Sequence, residues 1–326
     1  MFRAASNGNN VLDGTKVTGT LDVATLVNSR ERVVDGLTLN GNVNVANGGI
    51  LSLDSANTTG GAQTISGTAS INLNDAAAQL SVEGNGSTTL GAGITVHGQG
   101  NIGRAAFVGG NNTFTSNGLI SSDVHGGILE ITAPGNSGSF INNGTLQAIN
   151  GGTLTLSTNI VANPGSQIIS GTGSTVLQNG VTINGTFTSS GGGLFTASSN
   201  NNNILNAVSF SGNLDASSVT NAREHIGNNL TLNGAVDIAN GGVVSLDSTI
   251  AADNAISGHA TFNLNDPNAL LSIEGNGTTT LGANVTVHGQ GSFGSANEVA
   301  VLSGAASNQH IVDVVFASHD HQVMAA

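Results

Sequence analysis

The chain has 326 residues, a net charge of −13 and only 8% charged residues. One lysine and five arginines stand against 19 acids, which argues against nucleic acid or an anionic membrane surface as a partner, because both are held by cationic side chains. There is no cysteine, so neither a disulfide framework nor a thiolate metal site is available.

Glycine supplies 48 residues and asparagine is nearly as abundant. That composition alone would suit a flexible chain, but hydrophobic residues make up 38% and recur at regular spacing, which disorder does not produce. No apolar run approaches the roughly 18–20 residues of a membrane-spanning helix, so membrane insertion is not expected. The opening MFRAASNGNN has no apolar h-region, and a processed or truncated piece of an exported protein is the favoured reading.

Residues 11–36 lead into a stretch, Leu37–Gly103, that is written a second time at Leu230–Gly294. LTLNGNVNVANGGILSLDS in the first copy becomes LTLNGAVDIANGGVVSLDS in the second, and ISG, NLND, EGNG, TTLG and VHGQG follow in the same order. The lead-ins match as well, so the duplication spans 11–103 and 204–294. Each lead-in holds a charge cluster, Arg30-Glu31-Arg32 and Arg223-Glu224-His225, expected as a solvated loop with weak local ion pairs.

Within the first copy apolar residues alternate in short bursts: Leu37/Leu39, Val43/Val45, Leu51/Leu53, Ile71/Leu73, Leu80/Val82 and Ile94/Val96. Bursts of period two bounded by Asn-Gly or Gly-Gly predict strands. Helical spacing is not sustained, although Thr25–Val34 has room for one helical turn. Between the copies the same unit recurs in diverged form as FTSNGLI, FINNGTL and VTINGTF, starting at Phe114, Phe140 and Val181.

Repeats spaced by roughly 20 to 26 residues predict strands that each pair with a counterpart one coil later. The expected architecture is all-β: a right-handed parallel β-helix, or β-solenoid, of about 13–16 rungs. Residues 1–303 form a single continuous solenoid in this reading, with diverged rungs over 104–203. Asparagine and glycine at the corners tolerate left-handed backbone, and asparagine side chains can stack as hydrogen-bonded ladders. The ten phenylalanines are expected in the core.

The segments FINNGTLQAINGGTLTL (Phe140–Leu156) and LTLNGNVNVANGGILSL (Leu37–Leu53) resemble the haemagglutinin-like and autotransporter-passenger repeats of large bacterial secreted adhesins. The resemblance implies a right-handed parallel β-helix at the bacterial cell surface or outside the cell, a scaffold role, and a host-cell or glycan receptor met through loops. It carries over no catalytic motif.

Because parallel β-helices also carry polysaccharide-degrading enzymes, the acids need weighing. Asp54, Asp75, Glu83 and His97 have copies in Asp247, Asp266, Glu274 and His288. A working active site is rarely needed twice in register, so these are expected as rung-edge or corner residues, with no catalytic residue, no cofactor and no metal. His310 and the His319-Asp320-His321 run lack a fixed element to orient them and are not expected to form a specific metal site.

Residues 304–326 depart from the repeat. Ile311, Val312, Val314, Val315 and Phe316 form a dense apolar run that either caps the last rung or pairs with the next chain, since an uncapped strand edge templates further pairing. Three functions follow: a non-catalytic structural or adhesive surface protein, a filament or matrix subunit that stacks head-to-tail as a homo-oligomer, and a polysaccharide-degrading enzyme. The first is preferred.

Overall fold

A computed structural model of the protein describes residues 1–6, 9–250, 253–295, 298–301 and 323–325. The chain divides into two compact units, residues 1–176 and 177–326. Both are parallel β-solenoids, with about 12 turns in all. Among the described residues there is no α-helix, only the two 3-10 turns Ser55–Asn57 and Thr59–Gly61. No described helix is long and apolar enough to cross a membrane. Where a helical turn had room to form, the chain makes a bend and then the strand Arg30–Asn40.

In the first unit strands pair in parallel with strands one coil later. One inward position runs Leu21, Val43, Ile71, Val96, Ile120, Leu146 and Ile168 through successive coils, and every member is buried. A second column runs Leu51, Leu80, Ile102, Ile131 and Leu156. Period two puts these side chains inside and their neighbours outside, and full burial of each contributes roughly 1.5–3 kcal/mol. All the residues of the predicted apolar bursts are buried.

The coils are unequal in length. Val33 meets Leu53 one coil on, whereas the next coil along the same wall runs from Leu51 all the way to Leu80. Coils of the longer kind explain why about 12 turns form where 13–16 are expected. In the second unit the same construction gives inward columns Leu214–Val236–Phe262–Val287 and Val244–Leu271–Phe293. Glu298–Val301 departs from the parallel order by pairing antiparallel with Ser292–Ser295, whereas Val323–Ala325 pairs in parallel with Thr278–Leu281.

The asparagine-glycine corners are of two kinds. At Asn47-Gly48, Asn150-Gly151 and Asn240-Gly241 both residues take positive φ, between 53° and 79°, as a left-handed corner requires. At Asn117-Gly118 and Asn143-Gly144 the asparagines instead form a ladder: Asn143 donates to Asn117 at 2.8 Å, and Asn163 donates to Asn143 at 2.7 Å. The glycines there are needed for close approach, since a Cβ on Gly118 would lie 2.0 Å from the Ile94 carbonyl oxygen.

Phe114 and Phe140 stack edge-to-face at 5.3 Å in the first unit, and Phe187, Phe195 and Phe210 cluster in the second. Phe2 and Phe107 depart from the core expectation; both are exposed.

Candidate functional site

The densest charged chemistry sits where a solvated loop is expected. Arg30, Glu31 and Arg32 begin a strand, not a loop, and alternation sends their side chains to opposite sides of it. Arg30 and Arg32 face outward, where Arg32 stands in register with Ser52 and then Ser81. Asp54 and Glu83, the next outward pair along those strands, are also neighbours in register.

The two arginines hold the two acids. Arg30 donates through Nη2 to Glu83 Oε2 at 3.1 Å and lies against Ser52 Oγ at 3.5 Å. Arg32 donates to Asp54 Oδ2 through Nε at 3.0 Å and through Nη2. Ser81 Oγ reaches Glu83 Oε1 at 3.0 Å. Phe107, 54% exposed, lies over the Arg30 guanidinium with its ring centroid 3.2 Å from Cζ. Burial alone would push the Asp54 carboxyl up; hydrogen bonds from Arg32, Asn57 and Ala56 outweigh it and hold it below the usual carboxylate range.

Glu31 points inward, at the foot of the column that continues through Leu51 and Leu80. It is 1% exposed, and burial pushes its carboxyl up to about 7. Glu224 stands at the foot of the equivalent column, below Val244 and Leu271. Burial raises its carboxyl well above the usual range, with the Leu205 backbone N–H as a partial counterweight.

The second copy repeats the outward row with one change of chemistry. His225, Ser245 and Ser272 stand in register where the first copy has Arg32, Ser52 and Ser81, and Asp247 pairs with Glu274 as Asp54 does with Glu83. His225 Nδ1 lies 3.1 Å from Asp247 Oδ2. Asp247 Oδ1 accepts from the Thr249 amide at 2.7 Å and its hydroxyl at 2.5 Å. Burial works against the charged form, but Thr249 and His225 keep the Asp247 carboxyl below its usual range. The ligand atoms of His225, Asp247 and Glu274 all lie within 4.8 Å of one another.

The remaining candidates separate by position. Asp75 and Asp266 are corner acids, accepting from the amides of Asn47 at 2.6 Å and Asn240 at 2.5 Å. His97 is a half-buried edge residue 3.1 Å from Asp123, and His288 is exposed. Asp54 and Glu83 are buried beneath the arginines and Asp247 is buried beside His225, where rung-edge surface positions are expected. Ile311, Val312, Val314, Val315 and Phe316 lie outside the described residues, as do His310, His319, Asp320 and His321.

Sequence reasoning missed a recurring cap. In Leu21-Asp22, Leu53-Asp54, Leu214-Asp215 and Leu246-Asp247 the aspartate accepts from backbone amides two or three residues on, an Asx-type corner. The recurrent Leu-Asp pair, which the sequence holds five times counting Leu12-Asp13, was its visible signal. No family model matches the chain, and comparisons with curated proteins and with solved structures return no significant match.

Proposed function

We propose that the chain is a secreted, non-catalytic β-solenoid of the bacterial cell surface, structural or adhesive in role. The observation that carries this reading is the way each coil completes the one before it. Backbone pairing, inward column and outward ladder all continue coil after coil in register. A wall of this kind is stiff through its own pairing and accepts both short and long coils, so loops can vary to meet a host-cell or glycan receptor while the scaffold persists. The likeness of Phe140–Leu156 to haemagglutinin-like and autotransporter-passenger repeats supports the same role, and right-handed winding agrees with the chirality of parallel crossovers.

The acids support it too. General acid–base work needs a carboxyl free to exchange its proton with substrate, whereas Asp54 and Glu83 are engaged by Arg32 and Arg30. At the C-terminal end the strands Glu298–Val301 and Val323–Ala325 add to the last coils, which favours a cap over a free edge for stacking chains.

Electron microscopy of the purified chain, together with binding to a panel of cells and glycans, tests the proposal. Discrete particles that bind through loops are expected. Fibres that disappear when residues 311–316 are deleted would replace it with the filament reading. Reducing ends or unsaturated products released from acidic polysaccharides would replace it with an enzyme.

A further inference from the structure

The duplication keeps two carboxylates and changes what faces them. In the first copy Asp54 and Glu83 meet Arg32 and Arg30, two positive charges against two negative. In the second copy Asp247 and Glu274 hold the same places, but His225 replaces Arg32, and Arg223 donates to the Gly241 carbonyl at 3.4 Å. Among the described residues no guanidinium reaches Asp247 or Glu274.

A second observation is independent of the acids. Ser245 is 1% exposed, and its Oγ has no hydrogen-bond partner. It stands between His225 and Ser272 on the outward row, two residues before Asp247. Its first-copy equivalent, Ser52, lies against the Arg30 guanidinium. A buried hydroxyl without a partner is costly, and this one faces the place where the first copy keeps a cation.

We propose that His225 Nδ1, Asp247 Oδ2 and a Glu274 carboxylate oxygen bind a divalent transition-metal ion of the Zn²⁺ class. The ion's two positive charges take over the role of the two guanidiniums. One imidazole and two carboxylates suit such an ion, whereas Ca²⁺ requires six to eight oxygen ligands. Ligand atoms around tetrahedral Zn²⁺ are about 3.3 Å apart; the His225–Asp247 separation of 3.1 Å fits. Rotation of the half-buried Glu274 side chain brings the third ligand in. Thr249 fixes the Asp247 carboxylate from behind through Oδ1, leaving Oδ2 free for the ion. The Ser245 hydroxyl is placed to bond a water that completes the shell.

The test uses the full chain carrying His310→Ala, His319→Ala and His321→Ala, so that tail histidines cannot supply the signal. Calorimetric titration with Zn²⁺ is expected to give one equivalent bound, not displaced by equal Ca²⁺. His225→Ala, Asp247→Asn and Glu274→Gln should each weaken it ~100-fold or more, since even supporting contacts around a metal are worth 10–100-fold. His97→Ala should leave it unchanged. His225→Arg restores the first-copy pairing, so it should fold normally by circular dichroism and lose Zn²⁺ binding. Saturable binding that survives His225→Arg with its affinity intact would overturn the site, as would no saturable binding by the tail-substituted chain.

Discussion

Glu31 offers a quantitative check of the inward columns. Its carboxyl moves from an ordinary 4.5 to about 7 because burial disfavours the charge, and at about 1.4 kcal/mol per tenfold change in proton affinity this is roughly 3 kcal/mol. The sign follows from proton counting. Between pH 4.5 and 7 the folded chain keeps a proton that the unfolded chain releases, so stability falls as pH rises through that window and levels off above it. Glu31→Gln keeps the size and removes the titration. Urea unfolding followed by circular dichroism at pH 4.5 and pH 8 should therefore show the variant gaining roughly 3 kcal/mol on the natural chain as pH rises. Glu31→Leu, which continues the Leu51 column, should gain at least as much. A difference that stays constant across the two pH values would show that Glu31 does not lie in the apolar column and would refute the reasoning.

Other outcomes follow from the same wall. Arg30→Met leaves Glu83 buried without its cation and should cost about 3–5 kcal/mol in urea unfolding, with much of the loss recovered by adding Glu83→Gln. Leu80→Ala, in the middle of a buried column, should lower stability by about 2–5 kcal/mol by the same measure. Gly118→Ala places a methyl 2.0 Å from the Ile94 carbonyl oxygen, where backbone must move, and a loss of at least about 1–3 kcal/mol is expected. Acidification acts on the caps in the opposite sense to Glu31: the carboxyls of Asp54 and Asp247 are held below their ordinary range. Their contribution is full at neutral pH and is lost as pH falls below about 4, so hydrogen exchange should quicken first at the capped corners.

The solenoid was legible because its signals are periodic: the Val43/Val45 and Ile71/Leu73 bursts face inward as strands must, and they stand one coil apart in register. The number of turns was less legible, because unequal corner insertions stretch some coils, as between Leu51 and Leu80, well beyond others. The Arg-Glu-Arg cluster departs from the solvated-loop expectation because charge in a sequence does not by itself fix exposure. Strand alternation, applied through Arg30-Glu31-Arg32-Val33, separates the arginines from the acid and places Glu31 inside. Phe107 was illegible, since it sits in an aperiodic glycine-rich segment and acts by covering Arg30, a residue several coils earlier in the chain. The His225 group could be recognised only once register brought Asp247 beside Glu274, because each of the three stands on a different coil and far from the others in sequence.

Every pairing described depends on coil-to-coil register, and cysteine cross-linking measures it directly in a chain with no native cysteine. Asn44 and Asn72 are partners in adjacent coils, with their side chains hydrogen-bonded at 2.7 Å, and Asn72 is in turn the partner of His97. Neighbouring strands hold Cα atoms about 4.8 Å apart, within the span a disulfide bridges. Asn44→Cys with Asn72→Cys, and separately Asn72→Cys with His97→Cys, should form disulfides quickly under mild oxidation, while Asn44→Cys with Leu73→Cys, on opposite faces, should not. Failure of both in-register pairs, or equal cross-linking of the mismatched pair, would contradict the stacked parallel coils of the first unit, on which the scaffold reading rests.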